Sequence, residues 1–243
     1  WCVGHFINNE LDWHEFPKAI LAMDAKAHAK KWILGELRTK YPNIGALNKA
    51  WGTQAKSFEA LRWSKNAKRQ AKKDMAELRG VFADRWYKIM SSATREACPG
   101  HLVLGSRIHK GLAWPEVVKA CAKYVDVVSF NHYVHQPDAT LWSRVSKLID
   151  KPLLIGEFGH NSFDNGLLTC ATLVKDQKER ALGFRTYAEQ IAANPNFVGA
   201  HHFQYIDEPI TGRFDTETAY NGFVNVADIP SPHLVKEAKT FHT

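Results

Sequence analysis

The sequence predicts an α/β fold of the (β/α)8 TIM-barrel type, and three observations carry that expectation. Five short apolar runs alternate with segments of helical periodicity, the pattern of successive parallel βα units. Nearly every run ends in polar or aromatic residues, which packing does not require but an active site at strand C-termini does. The 243 residues also lie close to the roughly 250 of such a barrel.

The first run, residues 2–7, leads into Asn8, Asn9 and Glu10. A long connection follows, about residues 11–100, in which 26–40 and 72–97 read as helices. An insertion of this size on a βα loop, about 14–97, is expected to act as a lid or subsite wall. The second run, 101–107, delivers Arg107 and then His109, and an apolar helix containing Cys121 follows. The third, 125–130, delivers Asn131, His132 and Tyr133. Leu141, Val145 and Leu148 then recur at i, i+4 and i+7, one face of a helix. The fourth run, 152–156, delivers Glu157, His160 and Asn161, and Ala181, Phe184, Ala188 and Ile191 mark the next helix. The fifth, 197–203, delivers His202, Gln204 and Tyr205. A last helix opens with Ser231 as N-cap and Pro232 in its first turn, and continues through Leu234, Val235 and Ala238.

A hydrophobic share of 45% with 23% charged residues excludes a disordered chain. The net charge of +7 permits a polyanionic partner without establishing one. The basic stretch Arg62, Lys65, Lys68, Arg69, Lys72 and Lys73 reads as a solvated helix face, and no nucleic-acid-binding motif accompanies it, so no nucleic acid is expected. No run approaches the ~18 apolar residues of a membrane span, and no membrane contact is expected. Cys2, Cys98, Cys121 and Cys170 are widely spaced with no CxxC, which indicates neither a zinc site nor a disulfide framework. His109, His132, His135, His160, His201 and His202 show no HxH or HExxH spacing, so no metal is expected there.

Glu10 and Glu157 each directly follow an apolar run. Two carboxylates on different strands of one barrel can face each other across a sugar ring, one as nucleophile or base and one as acid. Asn9 is placed to donate to a sugar hydroxyl, and Tyr133 to hydrogen-bond the nucleophilic carboxylate and keep it ionised. The plainer alternative is that either Glu pairs with Arg107 or caps a helix. The residues expected to contact substrate are Asn9, Trp13, Arg107, His109, Asn131, Tyr133, His160, His202 and Gln204. Trp51, Trp114 and Trp142 read as packing residues, whereas Trp13, three residues past Glu10, reads as a sugar platform.

The stretches GHFINNELDW (4–13), LNKAWG (47–52), IGEF (155–158), HHFQYIDEPITGR (201–213) and NGFV (221–224) resemble glycoside hydrolases of clan A. The similarity is closest to family 50, the β-agarases, with some likeness to the family 42 β-galactosidases. The resemblance implies retaining hydrolysis of β-linked galactose-type glycans without a cofactor. It implies Glu10 as acid/base, Glu157 as nucleophile and Asn9 beside the scissile bond. It also implies that the five runs are strands four to eight, making residues 1–243 a single partial barrel domain. Two departures are visible. His202 stands where the clan's sugar-stacking Trp is expected, and His160-Asn161 differs from the usual run after the nucleophile. An incomplete barrel exposes two edges and an apolar inner face, which predicts a homo-oligomer. An extracellular or periplasmic location is expected for a polysaccharide-degrading enzyme, although no signal peptide is visible. The alternative is a catalytically impaired barrel remnant that binds carbohydrate or a protein.

Overall fold

The computed structural model describes residues 1–109, 114–164 and 172–243; Cys170 lies outside the described residues. All five apolar runs form strands, and every pairing between them is parallel. Strand β1 (Gly4–His5) pairs with β2 (Leu102–Val103). Strands β3 (Ile108–His109), β4 (Val128–Asn131), β5 (Leu153–Phe158) and β8 (Phe197–His202) are neighbours in that order. β3 continues the chain just past the run that holds β2, after a break where Gly105 (φ 76°) and Arg107 (φ 48°) adopt left-handed backbone. The strands therefore follow chain order along one wall, as βα units do. A short parallel pair not expected from the sequence, β6 (His160–Ser162) with β7 (Thr172–Val174), follows β5.

Successive side chains alternate between the two faces of this wall. Ile7, Val103, Val128, Phe130, Leu153 and Ile155 face outward into the main core. They meet Val117, Val118 and Cys121 of α5 (Pro115–Tyr124), Val145 of α6 (Ala139–Leu148), Phe184 and Ile191 of α7 (Gln177–Ala192), and Leu234 of α8 (Pro232–His242). Each such side chain, fully buried, contributes about 1.5–3 kcal/mol. Burial pushes the Cys121 thiol up to about 12, an inert core group rather than a reactive one. On the opposite face Leu104, Val127 and Leu154 cluster with Phe6. The Phe6 ring meets His201 of β8 edge-on at 5.9 Å, so the sheet curves until its first and last strands touch across the inner face.

The long connection is more structured than the two expected helices. It contains α1 (Phe16–Ala22), α2 (His28–Lys40), α3 (Ile44–Trp51) and α4 (Arg69–Ala97). Asn43 caps α3 by accepting from the Ala46 amide at 2.9 Å, and Gly52 (φ 73°) ends it in the left-handed conformation that glycine tolerates. These helices enclose a second core of Ile20, Leu21, Ile33, Leu34, Leu37, Leu47, Trp51, Leu61 and Met75. Helix α4 carries Met75 and Leu78 in that core and Ala83 and Tyr87 in the main one, fixing the insertion to the sheet. Asp74, 1% exposed, accepts from Tyr41 Oη (2.5 Å), Trp51 Nε1 (2.6 Å) and Gln70 Nε2 (2.8 Å) and pairs with Lys40 (2.6 Å). Burial raises its carboxyl, but these four partners outweigh burial and hold it below the usual range. The basic residues at positions 62–73 are exposed. Ser231 precedes α8 as expected, yet its hydroxyl accepts from Arg180 (2.9 Å) instead of capping the helix. Among the described residues no helix is long and apolar enough to cross a membrane.

Candidate active site

Glu10 and Arg107 both occupy left-handed backbone, at φ 49° and 48°. Such positions are costly for residues with a Cβ and persist where surrounding bonds over-determine them. Those bonds are present. The Glu10 amide donates to Ser106 O (3.3 Å), the Arg107 amide to Ser129 Oγ (2.9 Å), and Ser106 Oγ meets the buried Tyr87 hydroxyl (2.7 Å). The ends of the first two runs are thereby locked together, and both side chains are aimed at the same space.

Glu157, the penultimate residue of β5, lies opposite Asn131, its register partner on β4. Its two oxygens have separate donors: Arg107 Nη1 to Oε1 at 2.9 Å, and Tyr133 Oη to Oε2 at 2.8 Å. The pairing with Arg107 and the bond to Tyr133, alternatives at the level of sequence, are both realised. Burial pushes the Glu157 carboxyl above the usual range. Tyr133 and Arg107 oppose that rise, and the negative charge of Glu10 adds to it. Asn131, 1% exposed, donates from Nδ2 to Glu10 Oε1 (2.8 Å) and reaches Asn9 Oδ1 (3.2 Å). His109 Nδ1 lies 3.3 Å from the same Glu10 oxygen. Gly156 makes room for this arrangement: a Cβ there would sit 2.6 Å from Arg107 Cγ and 2.9 Å from Asn131 Oδ1.

These groups line a cavity of about 500 Å³. Asn9, Glu10, Arg107, His109, Tyr133 and Glu157 form one side of it. The other side is Gly159, Asn161, Phe203, Arg213, Phe214, Asp215, Glu217 and Asn221, of which Phe214, Asp215 and Glu217 fall outside every stretch expected from the sequence. Arg213 organises this wall, pairing with Asp215 (2.5 Å), Glu217 (3.0 Å) and the buried Glu208 (3.3 Å), with its guanidinium 5.2 Å from the Phe203 ring. The Oδ1 atoms of buried Asn161 and Asn221 have no hydrogen-bond partner and lie in residues that line the cavity. The signal for this wall lay in the acidic cluster around Arg213 inside the 201–213 stretch and just beyond it.

Five expected contact residues do not line the cavity: Asn131 lies buried behind it, bonded to Glu10 and Asn9, and four lie elsewhere. Trp13 is 3% exposed and enclosed by Phe16, Phe82, Trp86 and Tyr87; the apolar surface it buries makes it a core group, not a platform. His160 is 1% exposed, donates to His135 O (3.2 Å) and packs on Tyr187. His202 points away from the cavity, among Phe158, Phe184 and Phe223, and that apolar cage pushes its imidazole down to about 3. Strand alternation explains this: His201 faces inward, His202 outward and Phe203 inward again. Phe203, not His202, is the aromatic side chain that this strand end places on the cavity. Gln204 follows Phe203 and does not line the cavity among the described residues.

Among the described residues one group of three His, Cys, Asp or Glu side chains has its potential ligand atoms within 4.8 Å, namely Cys2, His5 and His101, outside this cavity.

Fold and site together define a parallel α/β protein with a two-carboxylate cleft at its strand C-termini. Its homologues are β-agarases. The chain is similar along its whole length to β-agarase B of Vibrio sp. (strain JT0107), at 36% identity and covering 27% of that protein. It is also similar to the solved structure of an exo-β-agarase, at 34% identity and a TM-score of 0.88, over 99% of this chain and 35% of the other. A GH50 structure matches at 34% identity and a TM-score of 0.84, over 99% of this chain and 36% of the other. No family model matches the chain. The chain therefore spans about a quarter of the length of the curated relatives it matches, 27% in each case.

Proposed function

We propose that this chain carries the catalytic carboxylates of a family 50, clan A glycoside hydrolase that cleaves β-linked galactose-type glycans of the agarose kind with retention. The observation that carries this reading is the convergence of Glu10 and Glu157 on Asn131 in one cavity, with Arg107 and Tyr133 on the Glu157 oxygens. Two donors favour the ionised form that a nucleophile needs. Glu157 attacks the anomeric carbon while Glu10 gives its proton to the leaving oxygen. Glu10 then takes a proton from the water that releases the glycosyl group from Glu157. Asn131 positions Glu10, and Asn9 faces the hydroxyl beside the reacting carbon. Phe203 and the exposed Phe214 offer apolar surfaces to sugar rings. In this reading the five-strand wall is strands four to eight of a barrel and residues 1–243 form one partial catalytic domain; none of the described residues of the helical insertion, expected as a lid or subsite wall, lines the cavity.

The test is hydrolysis of agaro-oligosaccharides and chromogenic β-galactosides by wild type, Glu157→Gln and Glu10→Gln, with the product anomer read by NMR. Turnover surviving both substitutions overturns the mechanism, and an inverted product overturns retention. A second reading, binding of carbohydrate or a protein without turnover, draws on the exposed Val3 and Val198 along the outermost strands. It is marked by glycan affinity with no product. The same exposed edges support self-association, and size-exclusion chromatography showing a 27.5 kDa monomer counts against it.

A further inference from the structure

Cys2, His5 and His101 lie toward the N-terminal ends of the first two runs, whereas Glu10 and Arg107 lie at their C-terminal ends. The strands that carry them are held in register by Leu102 N to Val3 O (3.0 Å) and Leu104 N to His5 O (2.8 Å). In that register His5 pairs with Val103, which places His101 diagonally across from it on the same face, within reach of an imidazole. The two rings stack with centroids 5.1 Å apart, and His5 Nε2 lies 2.8 Å from His101 Nδ1. Cys2 folds its thiol back along the strand, with Sγ 3.8 Å from Gly4 O. One ligand atom from each of the three residues lies within 4.8 Å of the others.

We propose that Cys2, His5 and His101 form a binding site for a zinc-type divalent cation. One thiolate and two imidazoles are a borderline-soft donor set that suits Zn²⁺ better than the hard ions Mg²⁺ or Ca²⁺. Tetrahedral zinc takes ring nitrogens at about 2.0–2.1 Å and a thiolate at about 2.3 Å, so its two nitrogens stand about 3.3 Å apart. Opening the His5–His101 contact by roughly half an ångström through ring rotation provides that spacing. A water completes the four positions on the side where Cys2 is exposed. The bound ion clamps the first strand to the second, and the first strand leads directly into Asn9 and Glu10. The site is independent of the proposed hydrolase activity.

The test uses untagged protein, titrated with Co²⁺ as a spectroscopic probe and with Zn²⁺ by calorimetry. One equivalent is expected per chain at micromolar metal. The cobalt complex is expected to show a near-ultraviolet thiolate charge-transfer band, and Tm is expected to rise with Zn²⁺ concentration. Cys2→Ser, at an exposed position, should abolish the band and the Tm shift. His101→Asn should weaken binding at least about tenfold. Circular dichroism confirms that both variants fold. Binding only at millimolar metal, or micromolar binding unchanged in both variants, overturns the proposal.

Discussion

Asn131 and Glu10, 121 positions apart in sequence, meet at 2.8 Å through the Asn131 amide and one Glu10 carboxylate oxygen. That bond ties the first run to the third and holds Glu10 in place despite its left-handed backbone. Asn131→Ala is expected to leave the fold intact and lower kcat, because a misplacement on the order of 1 Å costs roughly 100-fold in rate. Steady-state kinetics on a chromogenic substrate, beside an unchanged circular dichroism spectrum, checks this.

Tyr133→Phe removes one of the three groups, with Arg107 and Asn131, that lower the Glu157 carboxyl. With the bond to Oε2 gone, burial and the Glu10 charge raise that carboxyl further. A nucleophile must be ionised, so the acid limb of the kcat/KM profile should move to higher pH. An acid limb that stays in place, or moves down, contradicts the role assigned to Tyr133.

Gly156→Ala places a methyl 2.6 Å from Arg107 Cγ and 2.9 Å from Asn131 Oδ1. Neither side chain is free to yield, since each is bonded to a candidate catalytic carboxylate. The expected result is a stability loss of about 1–3 kcal/mol in urea unfolding, accompanied by a fall in activity.

Asp74→Ala strips the insertion of the acceptor shared by Tyr41, Trp51 and Gln70, and leaves Lys40 without its buried partner. Lys40 is exposed and keeps Glu77, so the loss comes from the buried Tyr41 and Trp51 donors left without an acceptor, about 1–3 kcal/mol each. Hydrogen exchange should show the loss concentrated in α1 to α3, whose core is separate from that of the sheet.

His202 is held neutral, its imidazole pushed from the usual value of 6.5 down to about 3 by the surrounding phenylalanines. Between those values the unfolded chain binds a proton that the folded chain does not, so the stabilisation present above pH 6.5 is lost as pH falls. His202→Phe should flatten the decline of Tm between pH 6.5 and 4. A decline as steep as that of wild type would place the titrating group elsewhere.

The five strands, the later helices and the positions of Glu10 and Glu157 were legible because each is a local signal. An apolar run has a period and a length, and a polar residue at its end is visible whatever packs nearby. The two-carboxylate expectation needed only that each Glu follow a strand and that the strands be parallel. Trp13 and His202 misled because sequence proximity to a candidate catalytic Glu, or to an expected Trp, does not reveal which face a side chain takes. Packing against Phe82, Trp86 and Tyr87 turned Trp13 inward, and the alternation of β8 turned His202 outward. The ion pairs of Arg213 were not legible, although Arg213 and Glu208 lie in the 201–213 stretch, because its partners lie in irregular loop, which carries no periodicity.

By itself, then, the sequence determined the kind of layer structure and which carboxylates stand at strand ends, since both follow from hydrophobic period and chain order. Only the tertiary structure decided what surrounds those carboxylates. The pairing of Arg107 and Tyr133 with Glu157, the reach of Asn131 to Glu10 and the placing of Phe203 rather than His202 on the cavity all depend on sheet curvature and side-chain direction. Those are set by contacts between residues far apart in the chain.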